Sequence, residues 1–399
     1  PVSNAITHLK IRGSYGLVGS DDLAKPTSDT YFLYQDMIYQ NNLNFWNWTS
    51  GDGNSNFTGY GPLIRYYALN NVTWEKSKKL DIGLDFTLFG DLNGTLEYFR
   101  EDRYDIFMQR GSWPWSLGYG MAIPWANTGK ALNQGFEVSL NYFKAINSDL
   151  SISVQGNLTY TQNKFVDKDE PNYEYPWQRE TGGPLDGYRV EGYIADGLFT
   201  SEEEIANSPE QQLGTQVRVG DIKYRDLNGD GKINSDDQTM ISKYGKNPRL
   251  MYGFGATINW KKWDFGFFFT GTGCRTISLA GTMDPKQDVY GRNLNVFKWV
   301  ADNAFDPENP NFNAQYPLTG IVSGDLANNT VNSTYWLRNA SYLRLRNLEL
   351  GWSFKYGRVY VNGDNILCFS GFKVWDPELD GPYKYPLQRT VNVGIQFNL

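Results

Sequence analysis

The sequence predicts an all-β fold: a transmembrane antiparallel β-barrel, of which this chain supplies the C-terminal portion, about ten strands. Three observations carry that prediction. Strand-length segments alternate apolar and polar residues, with no charge on the apolar register. Very short connections alternate along the chain with very long ones. No apolar run approaches the roughly 18 residues a membrane-crossing helix needs, so any span must be built from strands.

The last stretch, Thr390 to Leu399, shows the design most cleanly. Val391, Val393, Ile395, Phe397 and Leu399 fall on one face, and Thr390, Asn392, Gly394, Gln396 and Asn398 on the other. A tilted strand crosses a bilayer core in roughly 9–11 residues, and this one has the length. The same alternation opens the chain, where Leu9, Ile11, Gly13, Tyr15 and Leu17 oppose Lys10, Arg12, Ser14 and Gly16. It returns at Leu80–Leu88, Phe136–Tyr142, Leu150–Tyr160 and Tyr252–Trp260. A face against lipid demands that absence of charge, because Lys or Arg at mid-depth costs roughly 2–4 kcal/mol. Between Trp336 and Trp352 the apolar phase slips near Asn347, as one bulged residue would cause.

Connections set the architecture. Gly90 to Gly94, Lys144 to Asp149, Lys261–Lys262 and Lys355 to Arg358 are short, as periplasmic turns are. Val18 to about Val72, Asp105 to Leu132, Lys164 to Arg249, Thr272 to Tyr335 and Ser370 to Leu387 are long, as extracellular loops are. Trp260, Trp263 and Trp352 lie beside short turns, where an aromatic girdle belongs. The whole of 1–399 reads as a single barrel segment, with 199–249 as a long extracellular loop.

Composition excludes several classes. Net charge is −7, so no broad basic surface invites nucleic acid. The one histidine, His8, leaves little room for His-based catalysis or zinc. Cys274 and Cys368 are far apart and could be free thiols or one disulfide. No nucleophile elbow, phosphate loop or HExxH occurs, and Glu202, Glu203 and Glu204 read as ordinary loop acids, so no enzyme is predicted.

Two groups carry candidate chemistry. In 226–237, Asp226, Asn228, Asp230 and Asp237 fall at positions 1, 3, 5 and 12 of an EF-hand-like loop, with Gly231 at 6 and the Lys232 carbonyl at 7. Oxygen donors at that spacing suit Ca2+, with Mg2+ as substitute; the flanks are not helical in pattern, so the ion is structural, pinning the loop. A metal-free Asn-Gly/Asp-Gly turn is the competing reading. The second group is the loop aromatics Trp46, Trp48, Trp113, Trp115, Trp125, Tyr173, Tyr175 and Trp177. Aromatic faces beside Asn, Asp and Gln suit sugar rings. Trp113, Trp115, Trp125 and Trp177 are the chosen substrate contacts, against the alternative that long loops pack on their own aromatics.

Several motifs together resemble the C-terminal barrel of SusC/RagA-type TonB-dependent outer-membrane transporters. They are Trp74-Glu75 leading into Leu80–Asp85, Asn127-Thr-Gly129 before Asn133–Glu137, and Gly220–Asp226 running into Asn228–Gly231. Trp336–Arg346, Asn362–Asn365 and Asp376-Pro-Glu378 complete the set. The resemblance implies a 22-stranded barrel with a plug inside, in the outer membrane of a Gram-negative bacterium. It also implies import of oligosaccharides or peptides, a SusD-like surface lipoprotein as a lid, and energy from the TonB complex. Plug and TonB box are absent from these 399 residues, so the chain is expected to be the C-terminal part of a larger protein. Leu399 stands where the family usually has a terminal Phe. Glu137, Asn141, Gln155 and Asn259 are expected to line the lumen. The rival is a secreted, calcium-stabilised β-sheet carbohydrate-binding protein, with the alternate faces buried in a sandwich.

Overall fold

The structure, a computed structural model, describes residues 5–21, 34–49, 56–69, 71–114, 123–185, 192–214, 216–282, 298–319, 327–379, 381 and 384–397. Its strands begin with β1 (Ile6–Ser20), β2 (Met37–Thr49), β3 (Asn56–Tyr66), β4 (Glu75–Leu88), β5 (Leu92–Gln109), β6 (Trp125–Asn147) and β7 (Leu150–Asp167). Short ones follow: β8 (Ala195–Leu198), β9 (Glu210–Gln211), β10 (Ile222–Tyr224) and β11 (Lys232–Ile233). Then come β12 (Leu250–Trp260), β13 (Trp263–Gly273), β14 (Thr276–Ser278), β15 (Leu337–Asn339), β16 (Tyr342–Phe354), β17 (Gly357–Ser370) and β18 (Thr390–Phe397).

Ten of these form one antiparallel sheet in the order β1-β4-β5-β6-β7-β12-β13-β16-β17-β18. Apart from the excursions of the long loops, sequence neighbours are sheet neighbours, which is the up-and-down pattern of a membrane barrel. The other strands make two-stranded ribbons only, so no second large sheet covers either face among the described residues. That removes the sandwich alternative. Val393 and Ile395 remain 75% and 56% exposed, and Leu9, Ile11 and Val391 are exposed with them. An apolar register left bare of protein is what a lipid-facing wall requires.

The bulge near Asn347 is Arg346. Leu345 and Asn347 pair with consecutive residues Phe269 and Phe268, so Arg346 has no cross-strand partner. It reaches instead to Glu378, at 2.7 Å. The opposite register of the sheet is polar and cross-linked. Arg12 donates to Glu97 at 3.0 Å and to Asp85 at 3.3 Å, and Asn259 donates to Ser151 at 3.3 Å. Gly255 keeps this face clear for an aromatic: a Cβ there would meet the Phe268 ring at 2.7 Å and the Phe267 carbonyl at 2.3 Å.

The connection expected over Asp105 to Leu132 is shorter than read from the sequence. β5 runs on to Gln109 and β6 starts at Trp125. Asp105 adopts φ +56°, and the pairing register shifts between Arg103 and Ile106. The irregularity breaks the period-2 pattern, which hid the resumption of the strand.

The main buried cluster lies not in the sheet but in the long connections. Ile222, Ile233, Leu279, Val300, Tyr316, Trp336 and Ala340 are almost fully buried and belong to one cluster. Segments read as loops therefore condense into a globular cap, built from β8–β11, β14, β15 and the chain around them. Side-chain amides satisfy part of its polar interior: Gln211 donates to the Ile222 carbonyl at 3.0 Å, and Asn329 accepts from the Ile222 N–H at 2.9 Å. Both cysteines are free thiols.

Candidate functional site

The candidate site lies on the long-loop side and is assembled from three segments. The first is 110–113, just beyond β5. The Arg110 N–H donates to the Pro124 carbonyl at 2.9 Å, which holds the two ends of the connection together and sets Trp113 near the start of β6. Trp113 meets Tyr67 at 6.4 Å between ring centroids. Trp125, at the first position of β6, stacks on buried Phe107 at 5.2 Å and 25°. Its buried indole nitrogen has no acceptor among the described residues. Trp115 lies outside the described residues.

The second segment, 167–180, is joined to the first through Asp169. This residue accepts from the Arg110 guanidinium and, at 2.9 Å, from the Ser112 hydroxyl. Asp169 sits at φ +52°, a conformation an Asp tolerates better than most side chains. Gly111 is required opposite it, because a Cβ there would lie 2.6 Å from the Asp169 carbonyl. Pro176 starts a single 3-10 turn that presents Trp177, and Tyr175 stacks on Trp177 at 4.8 Å and 13°.

The third segment is 226–237. The Trp177 indole N–H donates to the Asp236 carbonyl at 2.8 Å, and the Thr239 hydroxyl donates to the Trp177 carbonyl at 3.1 Å. Beside this junction is a cavity of about 210 Å³, lined by Tyr173, Gln178, Arg179, Glu180, Gln238 and Met240 among others. Its wall mixes an aromatic ring, amides and both signs of charge, the composition of a small polar-ligand pocket.

Within 226–237 the predicted ligand residues organise the backbone. Asp226 accepts from the N–H groups of Gly229 at 2.6 Å and Gly231 at 2.9 Å. Asn228 accepts from the Asp230 N–H, and Asp230 from the Lys232 N–H. Asp237, fully buried, accepts from the N–H groups of Leu227 and Asn234. Gly229 and Gly231 take φ of +76° and +81°, which their lack of a Cβ permits. β11 pairs in parallel with β9, where the Glu210 and Gln212 N–H groups take the carbonyls of Gly231 and Ile233. The Lys232 carbonyl between them therefore faces the other way. Each carboxylate retains lone pairs beyond those the backbone occupies. In this conformation no three His, Cys, Asp or Glu side chains converge among the described residues.

Of the four chosen aromatics, the structure ties Trp177 to the 226–237 loop, brings Trp113 and Trp125 to the ends of one connection, and packs Trp125 on Phe107. Sequence reasoning missed two charged clusters elsewhere in the fold. Arg344, 1% exposed, donates to Asp376 and Asn365 and lies 3.2 Å from Glu378. Its signal was present in the motifs Trp336–Arg346 and Asp376-Pro-Glu378, which read as separate. Glu204, one of the acids set aside as ordinary, caps a helix. Ser201 accepts from the Glu204 N–H, while the Glu204 carboxylate accepts from Thr200 at 2.7 Å and Lys223 at 2.8 Å. Those bonds, the Lys223 ammonium first, hold its pKa down at about 2.

Comparison with known proteins places the chain. The family model described as TonB dependent receptor-like, beta-barrel matches residues 7–366. The TonB-dependent receptor P3 of Formosa agariphila is 26% identical over 99% of this chain and 38% of its own length. The TonB-dependent receptor SusC of Bacteroides thetaiotaomicron is 24% identical over 99% of this chain and 38% of its own. Among solved structures, the RagAB peptide importer in its open-open state aligns with a TM-score of 0.65 at 21% identity, covering 100% of this chain and 41% of that one. The chain thus spans about two fifths of the length of the relatives it matches.

Proposed function

This chain belongs to the TonB-dependent receptor-like β-barrel family, and from that premise we propose that it is the barrel part of a SusC-like importer. It is an outer-membrane protein. The importer takes up oligosaccharides, with peptides as the alternative cargo, since one similar structure is of a peptide importer. A SusD-like lipoprotein sits on the long-loop cap, and the TonB complex supplies the energy through a segment outside these residues. No catalytic step is assigned to it.

The observation that carries the reading is the division of the apolar residues. Many on the outward register of the ten-stranded sheet, Leu9, Ile11, Val393 and Ile395 among them, are exposed, while the main packed cluster lies on the long-loop side. A wall for lipid and a rigid, self-supporting vestibule above it are the two parts an importer needs. Within the vestibule, the stacked Tyr175–Trp177 pair and the adjoining cavity are the assigned cargo contact, with Trp113, Trp115 and Trp125 along the neighbouring connection. The test is uptake by cells carrying the full-length transporter. Trp177→Ala should cut uptake of a fluorescent oligosaccharide severalfold while surface display is unchanged. Wild-type transport from that variant, or recovery of the protein in the soluble fraction, would sink the assignment.

For 226–237 the proposal is a structural Ca2+, with Mg2+ as substitute, held by Asp226, Asn228, Asp230, the Lys232 carbonyl and Asp237. The all-oxygen donor set fits a hard cation. Binding would draw the side chains inward from their present positions on backbone N–H groups. An ion bound only by the folded loop raises stability, so chelation should lower the melting temperature.

A further inference from the structure

We propose that the short-turn rim formed by Lys261, Lys262 and Lys355 is a binding site for the headgroup of an anionic phospholipid in the periplasmic leaflet. The inference rests on the proposed membrane orientation but adds a ligand class and a place.

The two turns are neighbours. Trp260 pairs with Trp263 across the two-residue turn Lys261–Lys262, and Trp263 pairs in turn with Trp352, two residues before Phe354 and the Lys355–Tyr356 turn. The Ser353 N–H donates to the Lys262 carbonyl at 2.7 Å, locking one turn against the other. Three ammonium groups therefore share one corner of the rim, and none of them has a carboxylate partner among the described residues. Charged side chains nearby behave otherwise. Lys144 is paired with Asp91 at 2.7 Å, and Arg358 is turned to the inner face by Asp264 and Glu349. Asp149, whose main-chain carbonyl accepts from the Lys261 N–H at 2.6 Å, is the acid of the adjoining turn, so three lysines against one aspartate leave this corner net positive.

Its surroundings are those of a lipid interface rather than of a protein contact. Trp260 is 53% and Tyr356 60% exposed, and Trp263 and Trp352 continue the outward apolar register of Ile258, Phe265 and Leu350. Indole and phenol rings settle at the headgroup level of a bilayer. Lys261 lies over the Trp260 ring at 5.7 Å and Lys355 over Tyr356 at 4.9 Å, so aromatic and cation are presented together. Lys261 also holds φ +56°, where glycine is the favoured residue of a tight hairpin turn. A long cationic side chain is kept at a position whose backbone alone would select against it. A phosphodiester would meet the three ammonium groups while its acyl chains lie along Phe265 and Leu350.

The test uses the full-length transporter in nanodiscs of phosphatidylcholine doped with dibrominated phosphatidylglycerol or dibrominated phosphatidylcholine. Quenching of tryptophan fluorescence reports the lipid in contact. Wild type should prefer the anionic lipid at least about tenfold, within the ceiling of roughly 150-fold that three juxtamembrane lysines set. The triple variant Lys261→Gln, Lys262→Gln, Lys355→Gln should lose that preference, and the corresponding triple Arg variant should keep it. Lys261→Gly should lower the preference without lowering the melting temperature, which separates the charge from any structural part. Equal quenching by both lipids in wild type, or an unchanged preference in the Gln variant, would overturn the proposal. So would capture of an acidic periplasmic protein by the same lysines with no lipid preference.

Discussion

Trp177 and Asp236, 59 residues apart, are joined by the hydrogen bond from the indole nitrogen to the main-chain carbonyl at 2.8 Å. That bond links the aromatic part of the site to the last turn of the 226–237 loop. Anything that reshapes the loop must move the indole. Addition of Ca2+ to chelator-treated protein should therefore change the tryptophan emission of wild type and leave that of Trp177→Phe almost unaltered. Asp230→Ala should abolish the response. An equal response from wild type and Trp177→Phe would dissociate the two features.

Arg344, in β16, is almost fully buried against Asp376 and Glu378. Removing one partner of such a cluster leaves the other charges without compensation. Arg344→Ala should destabilise the folded protein by about 3 kcal/mol, toward the low end of the usual range because both acids retain some exposure. Denaturant unfolding of the detergent-solubilised protein measures it. Arg346→Ala, removing a pair in which both partners stay about one-third exposed, should cost under about 1 kcal/mol.

Glu204 gives the cap a pH dependence of definite sign. Its pKa falls from 4.5 in the unfolded chain to about 2 in the fold. The carboxylate therefore contributes stability above the unfolded value, and that contribution is lost as pH drops toward 2. Glu204→Gln should be less stable than wild type at pH 7 and equal to it near pH 2. Thermal melting of both proteins between those limits checks the crossing.

The wall of the protein was legible in the sequence because it obeys one period. Val391 to Phe397 and Leu9 to Leu17 alternate without interruption, and each lies in the sheet at the register that alternation requires. Even the bulge at Arg346 left a trace, as a slip of phase. The cap was not legible. Ile222, Ile233 and Trp336 are brought together from segments with no repeating pattern, so nothing local distinguishes them from exposed loop residues. In 226–237 the chain turns at Gly229 and Gly231, both at positive φ. Which aromatics pack and which remain open was decided by partners remote in sequence: Phe107 for Trp125, Tyr175 and Asp236 for Trp177.

The lipid-facing assignment can be tested on two adjacent residues of the closing strand. Val393 pairs with Val361 and Asn392 with Asn362, so the first pair belongs to the apolar face and the second to the polar one. Asn392 donates to the Asn362 side chain at 3.0 Å across that polar face. Arginine at Val393 would be forced toward acyl chains, at a cost of roughly 2–4 kcal/mol near mid-depth. Arginine at Asn392 would meet a hydrated interior and cost under about 1 kcal/mol, since its charge remains solvated. Refolding of Val393→Arg and Asn392→Arg into lipid vesicles, with stability read from denaturant midpoints, gives the comparison directly. A larger loss at 392 than at 393 would reverse the inside and outside of the wall, because the two side chains differ in nothing but the face from which they project.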